Sequence, residues 1–163
     1  MDLALLFKDK DILVIGNSEH SREEERPEAD LVCNFNMGVD SRTDIWVHCL
    51  INNQEEAYAN FNGQAIIVPN PRNRKYVVHF NKPTYIEETD ILTKLKLELG
   101  HKPSCGLMFV HLLLRVNTHK SIKLIGFDHF KTKTFYNEHK TKRHDHKTEK
   151  QYFDNLRQRG LIL

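Results

Sequence analysis

The chain has 163 residues, 39% of them hydrophobic and 28% charged, which suits one domain with a real apolar core and excludes a disordered tail or low-complexity linker. Its formal net charge of +2 excludes a uniformly basic, nucleic-acid-coating protein, although the charge is unevenly spread. Glu23, Glu24 and Glu25 lie near the start, whereas residues 131–147 are rich in Lys, Arg and His and form either a solvated surface or a contact for phosphate, nucleic acid or an anionic membrane.

The opening residues MDLALLFKDKDILVIG do not follow a secretory pattern, and no 18-residue apolar run occurs in the chain. Cys33, Cys49 and Cys105 are odd in number and lack CxxC spacing, which predicts neither a disulfide framework nor a zinc knuckle and points to a reducing compartment. The expectation is a cytoplasmic protein without a transmembrane anchor.

Residues 11–16 (DILVIG) are an apolar run ending in glycine and predict a first buried strand. Gly16-Asn17-Ser18 follows it. The triplet is neither GxGxxG nor a GK[ST] phosphate loop; it can hold a nucleotide through a few directed hydrogen bonds, or Asn17 can simply form a turn. A second strand at 31–34 ends in Asn34, with Asn36 close behind. Such amides offer a donor and an acceptor to a base or ribose, and they are equally common in plain loops. Val39-Asp40-Ser41-Arg42-Thr43-Asp44 leads to a strand at 44–49, then a helix at 54–60, a strand at 65–68, a surface turn at 70–75 and a strand at 76–80.

Ile91, Leu92, Leu95 and Leu99 mark a helix over 86–99. The next helix, 106–116, is opened by Pro103-Ser104-Cys105-Gly106. Small residues there expose N–H groups at the positive end of the helix dipole, which favours a carboxylate or phosphate; Ser104 as an ordinary N-cap accounts for the same residues. A strand at 122–126 ends in Gly126-Phe127-Asp128. The glycine lets a ligand approach the backbone and Asp128 can hold a hydroxyl or orient a cation, unless the three only close a turn. Residues 131–143, with Tyr136, lack apolar periodicity and read as a lid or a loop, and 147–157 is helical through Tyr152, Phe153 and Leu156.

His144 stands five residues before Glu149 at the start of that helix, a near-neutral base beside a carboxylate that can orient it, or a member of a solvated His-rich loop. His139, His144 and His146 cluster in sequence, but their spacing matches no zinc signature such as HExxH, and no metal is assigned. The alternation of strands and helices predicts an α/β, Rossmann-like fold with a mainly parallel sheet, helices on both faces, and ligands at the carboxyl ends of the strands.

Taken in order, these pieces resemble the sialylmotifs of the sialyltransferases, glycosyltransferase families 29 and 42. Gly16-Asn17-Ser18, Val32-Cys33-Asn34 and Val39-Asp40-Ser41-Arg42-Thr43 are similar to the large motif. Pro103-Ser104-Cys105-Gly106 with Ile125-Gly126-Phe127 resembles the small motif, and His144 with Glu149 the very small motif, His-x4-Glu. Gly126-Phe127-Asp128-His129-Phe130, then Tyr136 and His144, resemble the bacterial family's order.

The resemblance implies one glycosyltransferase domain over 1–163, a GT-A-like variant with a short lid at 131–143. It implies inverting, metal-independent transfer of sialic acid or the related Kdo from a CMP-activated sugar to a glycan or lipo-oligosaccharide, with no cofactor besides the donor. Asn17 and Asn34 would contact the nucleotide, Ser104, Cys105 and Gly106 the cytidine or carboxylate side of the donor, and Gly16, Ser18, Gly126, Phe127 and Asp128 would complete the donor site. Tyr136 would hydrogen-bond the departing phosphate and His144 would deprotonate the acceptor hydroxyl, with Glu149 beside it. The expected partners are the CMP-sugar, a glycan and the inner face of a membrane touched peripherally, with no nucleic acid. Phe130 stands where the bacterial family has a tyrosine, Asp40 where a glycine is usual, and the lid is short. These departures motivate the alternative of a CMP-binding module of the same fold without transfer.

Overall fold

A computed structural model describes residues 1–19, 21, 25–49, 54–77, 80–129 and 144–163. The expected lid at 131–143, with Phe130, Tyr136 and His139, lies outside the described residues, as do Glu23 and Glu24.

The elements run α1 (Leu3–Phe7), β1 (Asp11–Ile15), β2 (Leu31–Phe35), β3 (Ile45–Val47), α2 (Gln54–Ala59), β4 (Ala65–Val68), β5 (Thr84–Ile86), α3 (Ile91–Leu99), α4 (Cys105–Val116), β6 (Ser121–Ile125) and α5 (His146–Gln158). The strands form one six-stranded sheet in the order β5-β4-β3-β2-β1-β6, with every adjacent pair parallel. Short, continuous apolar runs such as Ile12 to Ile15 are what a central parallel strand requires, because both of its faces are covered. Alternation along β3 shows the two layers: Ile45 and Val47 pack in a core shared with α1, α3, α4 and α5, while Trp46 packs in a second core with Ala57 of α2, Phe61, Val77 and Phe80. The architecture is the expected α/β, Rossmann-like one.

Local chemistry moved three boundaries. Of the strand expected at 76–80, Tyr76 and Val77 are not extended but close a 3-10 helix, and residues 78 and 79 lie outside the described residues. Pro71 at the start and Asn70, whose side chain accepts from Arg72 N at 3.1 Å, begin a 3-10 helix that runs through Tyr76, and Val77 and Phe80 then drop into the second core. The fifth strand comes later, at Thr84–Ile86, with Ile66 N donating to Pro83 O at 2.9 Å beside it. Ile86 therefore belongs to a strand, and α3 starts at Ile91, where the Asp90 side chain accepts from Thr93 N at 3.0 Å.

The reading of the cysteines is also corrected. Cys49, just past β3, and Cys105, first residue of α4, form a disulfide with Cα atoms 6.4 Å apart, inside the range such bonds span. Cys33 remains as a free, buried thiol in β2, its pKa raised by burial first and by the charge of Asp44 second. Three cysteines thus comprise one bridge and one core residue, and the argument for a reducing compartment loses its ground.

At the β5 end, the carboxylate of Glu87 is fully buried and met by Arg115 Nη2 at 2.5 Å, Tyr85 Oη at 3.1 Å and Thr89 N at 2.7 Å. Burial by itself would raise the Glu87 pKa, but the hydrogen bonds from Thr89 and Arg115 outweigh it and hold the carboxyl below its ordinary range. This charge network pins α4 to the loop that leads into α3.

Candidate functional site

The strand order fixes where a ligand can enter. From β1 the chain adds β2, β3, β4 and β5 outward on one side, then returns to lay β6 on the other side of β1. In a parallel sheet the crevice at such a reversal, outside the carboxyl ends of the strands, is the usual ligand position. Here it lies between Ile15 and Ile125, paired in register, with Asn34 of β2 beside Ile15 on the far side.

The backbone segments leaving β1 and β6 are laced together. Gly16 N donates to Ile125 O at 2.8 Å and Ser18 N to Gly126 O at 3.3 Å, while Ser21 N and Oγ donate to Ser18 O at 3.0 and 2.8 Å. The approach is closer than side chains tolerate. A Cβ on Gly16 would stand 2.3 Å from Gly126 O, and one on Gly126, at φ +67°, would stand 2.5 Å from Ser21 Cβ. Gly126→Ala combines a left-handed backbone with a clash, and we expect it to destabilise the fold by about 1–3 kcal/mol. A urea midpoint equal to that of wild type would contradict this.

Phe127 is the hub on which the sequence motifs converge. Its ring meets Phe35 of β2 edge-on with centroids 6.0 Å apart, and Phe153 of α5 at 5.4 Å. A Cβ on Gly106 would come within 2.7 Å of its Cε1, so the first turn of α4 rests directly on this ring. Phe127 thus serves as packing between β2, α4 and α5, a role its place in a motif does not reveal.

Ser104 caps α4 through Oγ, which accepts from Leu107 N at 3.2 Å. Its own N–H donates to Glu149 Oε1 at 2.7 Å. Glu149, only 2% exposed, therefore ties α5 to the start of α4. The neighbouring Cys105 is bonded to Cys49, so this helix start is fastened on both sides, to α5 and to the end of β3.

Asn34 is 2% exposed. Its Nδ2 donates to Gly38 O at 2.5 Å, and its Oδ1 is buried with no hydrogen-bond partner among the described residues. A buried acceptor left unpaired costs about 1–3 kcal/mol, so this atom is suited to a water or a ligand donor at the rim of the sheet. Asn17 is half-buried directly beyond Gly16, and Asp128 is half-buried two residues after Gly126.

His144 is half-buried ahead of α5, with Nδ1 2.9 Å from Lys102 O. A carbonyl only accepts, so in this contact the ring donates from Nδ1. Asp145, next in sequence, caps α5 by accepting from Lys147 N at 3.0 Å and Thr148 N at 3.2 Å, and the hydrogen bonds from the Thr148 side chain and backbone lower its pKa. Among the described residues no group of three or more His, Cys, Asp and Glu is arranged to hold a metal ion.

Gly16, Asn17 and Ser18, Asn34, Ser104 to Gly106, and Gly126 to Asp128 thus gather around the β1–β6 crevice or the Phe127 hub beside it, with His144 and Glu149 joined to residues 102–104. Tyr136 falls outside the described residues. Sequence reasoning missed Lys102, whose contribution is a main-chain carbonyl, and His101 beside it. The only signal was a histidine shortly before a small-residue helix start.

A parallel sheet with a reversal at β1, a glycine crossing there and a capped helix resting on the strand-end loop define the protein as a Rossmann-like α/β protein with a strand-end crevice at that reversal. No known family profile and no curated protein matches the chain. Among solved structures it is similar to a mammalian sialyltransferase crystallised with Gal-beta-1-3GalNAc-ortho-nitrophenol, with a TM-score of 0.57 and 15% identity over 98% of this chain and 70% of that one. At that identity the likeness is one of fold. Among the described residues, no helix is long and apolar enough to cross a membrane.

Proposed function

We propose that the protein is an inverting, metal-independent glycosyltransferase that moves sialic acid, or the related Kdo, from a CMP-sugar to a hydroxyl of a glycan or lipo-oligosaccharide. The observation that carries this reading is the contact of His144 Nδ1 with Lys102 O, on the same segment that opens the capped helix α4 beside the β1–β6 crevice. The fold likeness to a sialyltransferase supports it.

In the proposed reaction the acceptor oxygen attacks the anomeric carbon on the face opposite the phosphate. The bond from that carbon to the phosphate oxygen breaks, CMP departs with the electron pair, and the hydroxyl proton passes to His144. Asn17 and the unpaired Oδ1 of Asn34 receive the nucleotide. The amino end of α4, at Ser104, Cys105 and Gly106, stabilises the donor's carboxylate or cytidine side. Tyr136 donates to the phosphate as negative charge grows there, a task that neutral donors can perform in place of a metal. Glu149 acts on the base by holding Ser104, and so residues 102–104, in place.

The Cys49–Cys105 bond favours an oxidising compartment for this activity, in place of the cytoplasm. Calorimetry with CMP and a transfer assay over an acceptor panel test the proposal together. Micromolar CMP binding, lowered at least tenfold by Asn34→Ala, and product formation with a CMP-sugar are the expected results. No CMP binding would refute the nucleotide assignment. Binding without transfer to any acceptor would leave a nucleotide-binding module of this fold.

A further inference from the structure

The connection from β1 to β2 carries a buried cation outside the proposed chemistry. The Arg26 side chain is only 9% exposed, and its Nη2 donates to Asp40 Oδ2 at 2.8 Å. Its Nε and Nη1 are buried with no hydrogen-bond partner among the described residues. A guanidinium has five N–H donors, one on Nε and two on Nη1, and burying charged donors unmet is costly.

Asp40 is committed elsewhere. Its Oδ1 accepts from Arg42 N at 2.9 Å and from Thr43 Oγ1 at 3.2 Å, while its own N–H donates to Thr43 Oγ1 at 2.9 Å. Burial by itself would raise the Asp40 pKa, but the hydrogen bonds from Arg26 and from Arg42 N outweigh it and hold the carboxyl below its ordinary range. The carboxylate is thus a fixed anchor for one nitrogen of Arg26 and leaves the other two unmet. Asp40 stands where the sialylmotif usually has glycine, so this ion pair belongs to the chain rather than to the motif it resembles.

The pair adjoins the strand ends. Asp40 lies two residues past Gly38, whose carbonyl accepts from Asn34 Nδ2, and Asn34 Oδ1 is the buried acceptor with no partner among the described residues. One short loop after β2 therefore holds unmet donors through Asp40 and an unmet acceptor through Gly38. Donors on a cation are best met by an anionic oxygen, since charge-assisted bonds are about twice as strong as neutral ones. The Asp40 side chain is 30% exposed, so the pair reaches the surface there, and a turn of the long Arg26 side chain suffices for an anion to meet its nitrogens.

We propose that Arg26, held by Asp40, is an oxyanion-binding residue of the strand-end crevice, taking an oxygen of the donor's phosphate or of its sugar carboxylate. The identity of the donor rests on the transferase reading; the binding of an oxyanion does not.

The test is the Arg26 Nε–H resonance in a 1H–15N spectrum of the whole chain, assigned by its loss in Arg26→Lys. Inorganic phosphate, CMP, free sialic acid and cytidine are titrated separately. The proton shift is expected to move downfield with inorganic phosphate and with CMP or sialic acid, the one that moves it naming the source, and to stay in place with cytidine, which has no oxyanion. Arg26→Gln keeps an amide that can bond Asp40 but loses the charge, and should weaken binding of the active anion about 10- to 100-fold, the share of one charge-assisted hydrogen bond. The wild-type titration decides even if Arg26→Gln does not fold. A resonance unmoved by all three anions overturns the proposal and leaves buried water as the partner of these nitrogens. An equal shift with cytidine, or equal anion affinity in wild type and Arg26→Gln, also overturns it. A shift with inorganic phosphate while neither CMP nor sialic acid binds refutes the donor reading and leaves the oxyanion site standing. CMP binding with Arg26 unmoved by any anion does the reverse.

Discussion

His144→Ala is expected to lower glycosyl transfer by about 10²–10⁴-fold, the contribution of a positioned general base, while leaving affinity for CMP within a few-fold of wild type. The loss should fall on kcat, because the proton leaves the acceptor hydroxyl only as the new bond forms and the donor binds before that step. The fold should tolerate the change: His144 is half-buried ahead of α5, and the helix keeps its Asp145 cap. His146, the first residue of α5, is the neighbouring imidazole and the natural control. His146→Ala should retain most of the activity. If instead His146→Ala abolishes transfer and His144→Ala does not, the base is His146 and the contact of His144 with Lys102 O has no catalytic meaning.

Breaking the Cys49–Cys105 bond should produce the largest change in stability. The bridge spans 56 residues of sequence, and closing a loop of that length removes enough unfolded-state entropy to be worth about 4 kcal/mol. For a chain of this size that corresponds to a fall in Tm of roughly 8–16 °C in the Cys49→Ser, Cys105→Ser double variant or in wild type under reductant. Reductant should have no further effect on the double variant. Thiol titration of denatured, unreduced protein should find one reactive group, from Cys33. Three reactive groups, or a Tm indifferent to reductant, would show that the bridge does not form. Because Cys105 adjoins Ser104 and Gly106, loosening this anchor should also weaken whatever the start of α4 binds.

Much of the fold was legible along the chain, because burial writes itself locally. DILVI, LVCNF and AIIV are short apolar runs of the kind a two-sided parallel strand needs, and they became β1, β2 and β4. Ser104 marked the start of α4, and the spacing of Tyr152, Phe153 and Leu156 marked α5. The failures were also local in origin. Residues 76–80 are as apolar as a strand, but the Asn70-Pro71 start commits the chain to a 3-10 helix first, and α1 is too short, at five residues, to display a helical period.

The motif containing His144, on which the proposed chemistry turns, was visible in sequence as a histidine five residues before a glutamate, but what that glutamate does was not. Its carboxylate bonds Ser104 N, 45 residues away, and the histidine's Nδ1 meets a backbone carbonyl 42 residues away. A main-chain carbonyl has no residue type to read.

By itself, then, the sequence determined the α/β class, most strands and helices, and the residue types gathered at the strand ends, since propensity, capping and apolar pattern act over a few neighbours. Only the tertiary structure decided that β6 lies against β1, that Phe127 is a hub, that Cys49 pairs with Cys105, and which carbonyl meets His144 Nδ1. Each depends on which distant segments pack together, a choice made by burying the whole core at once.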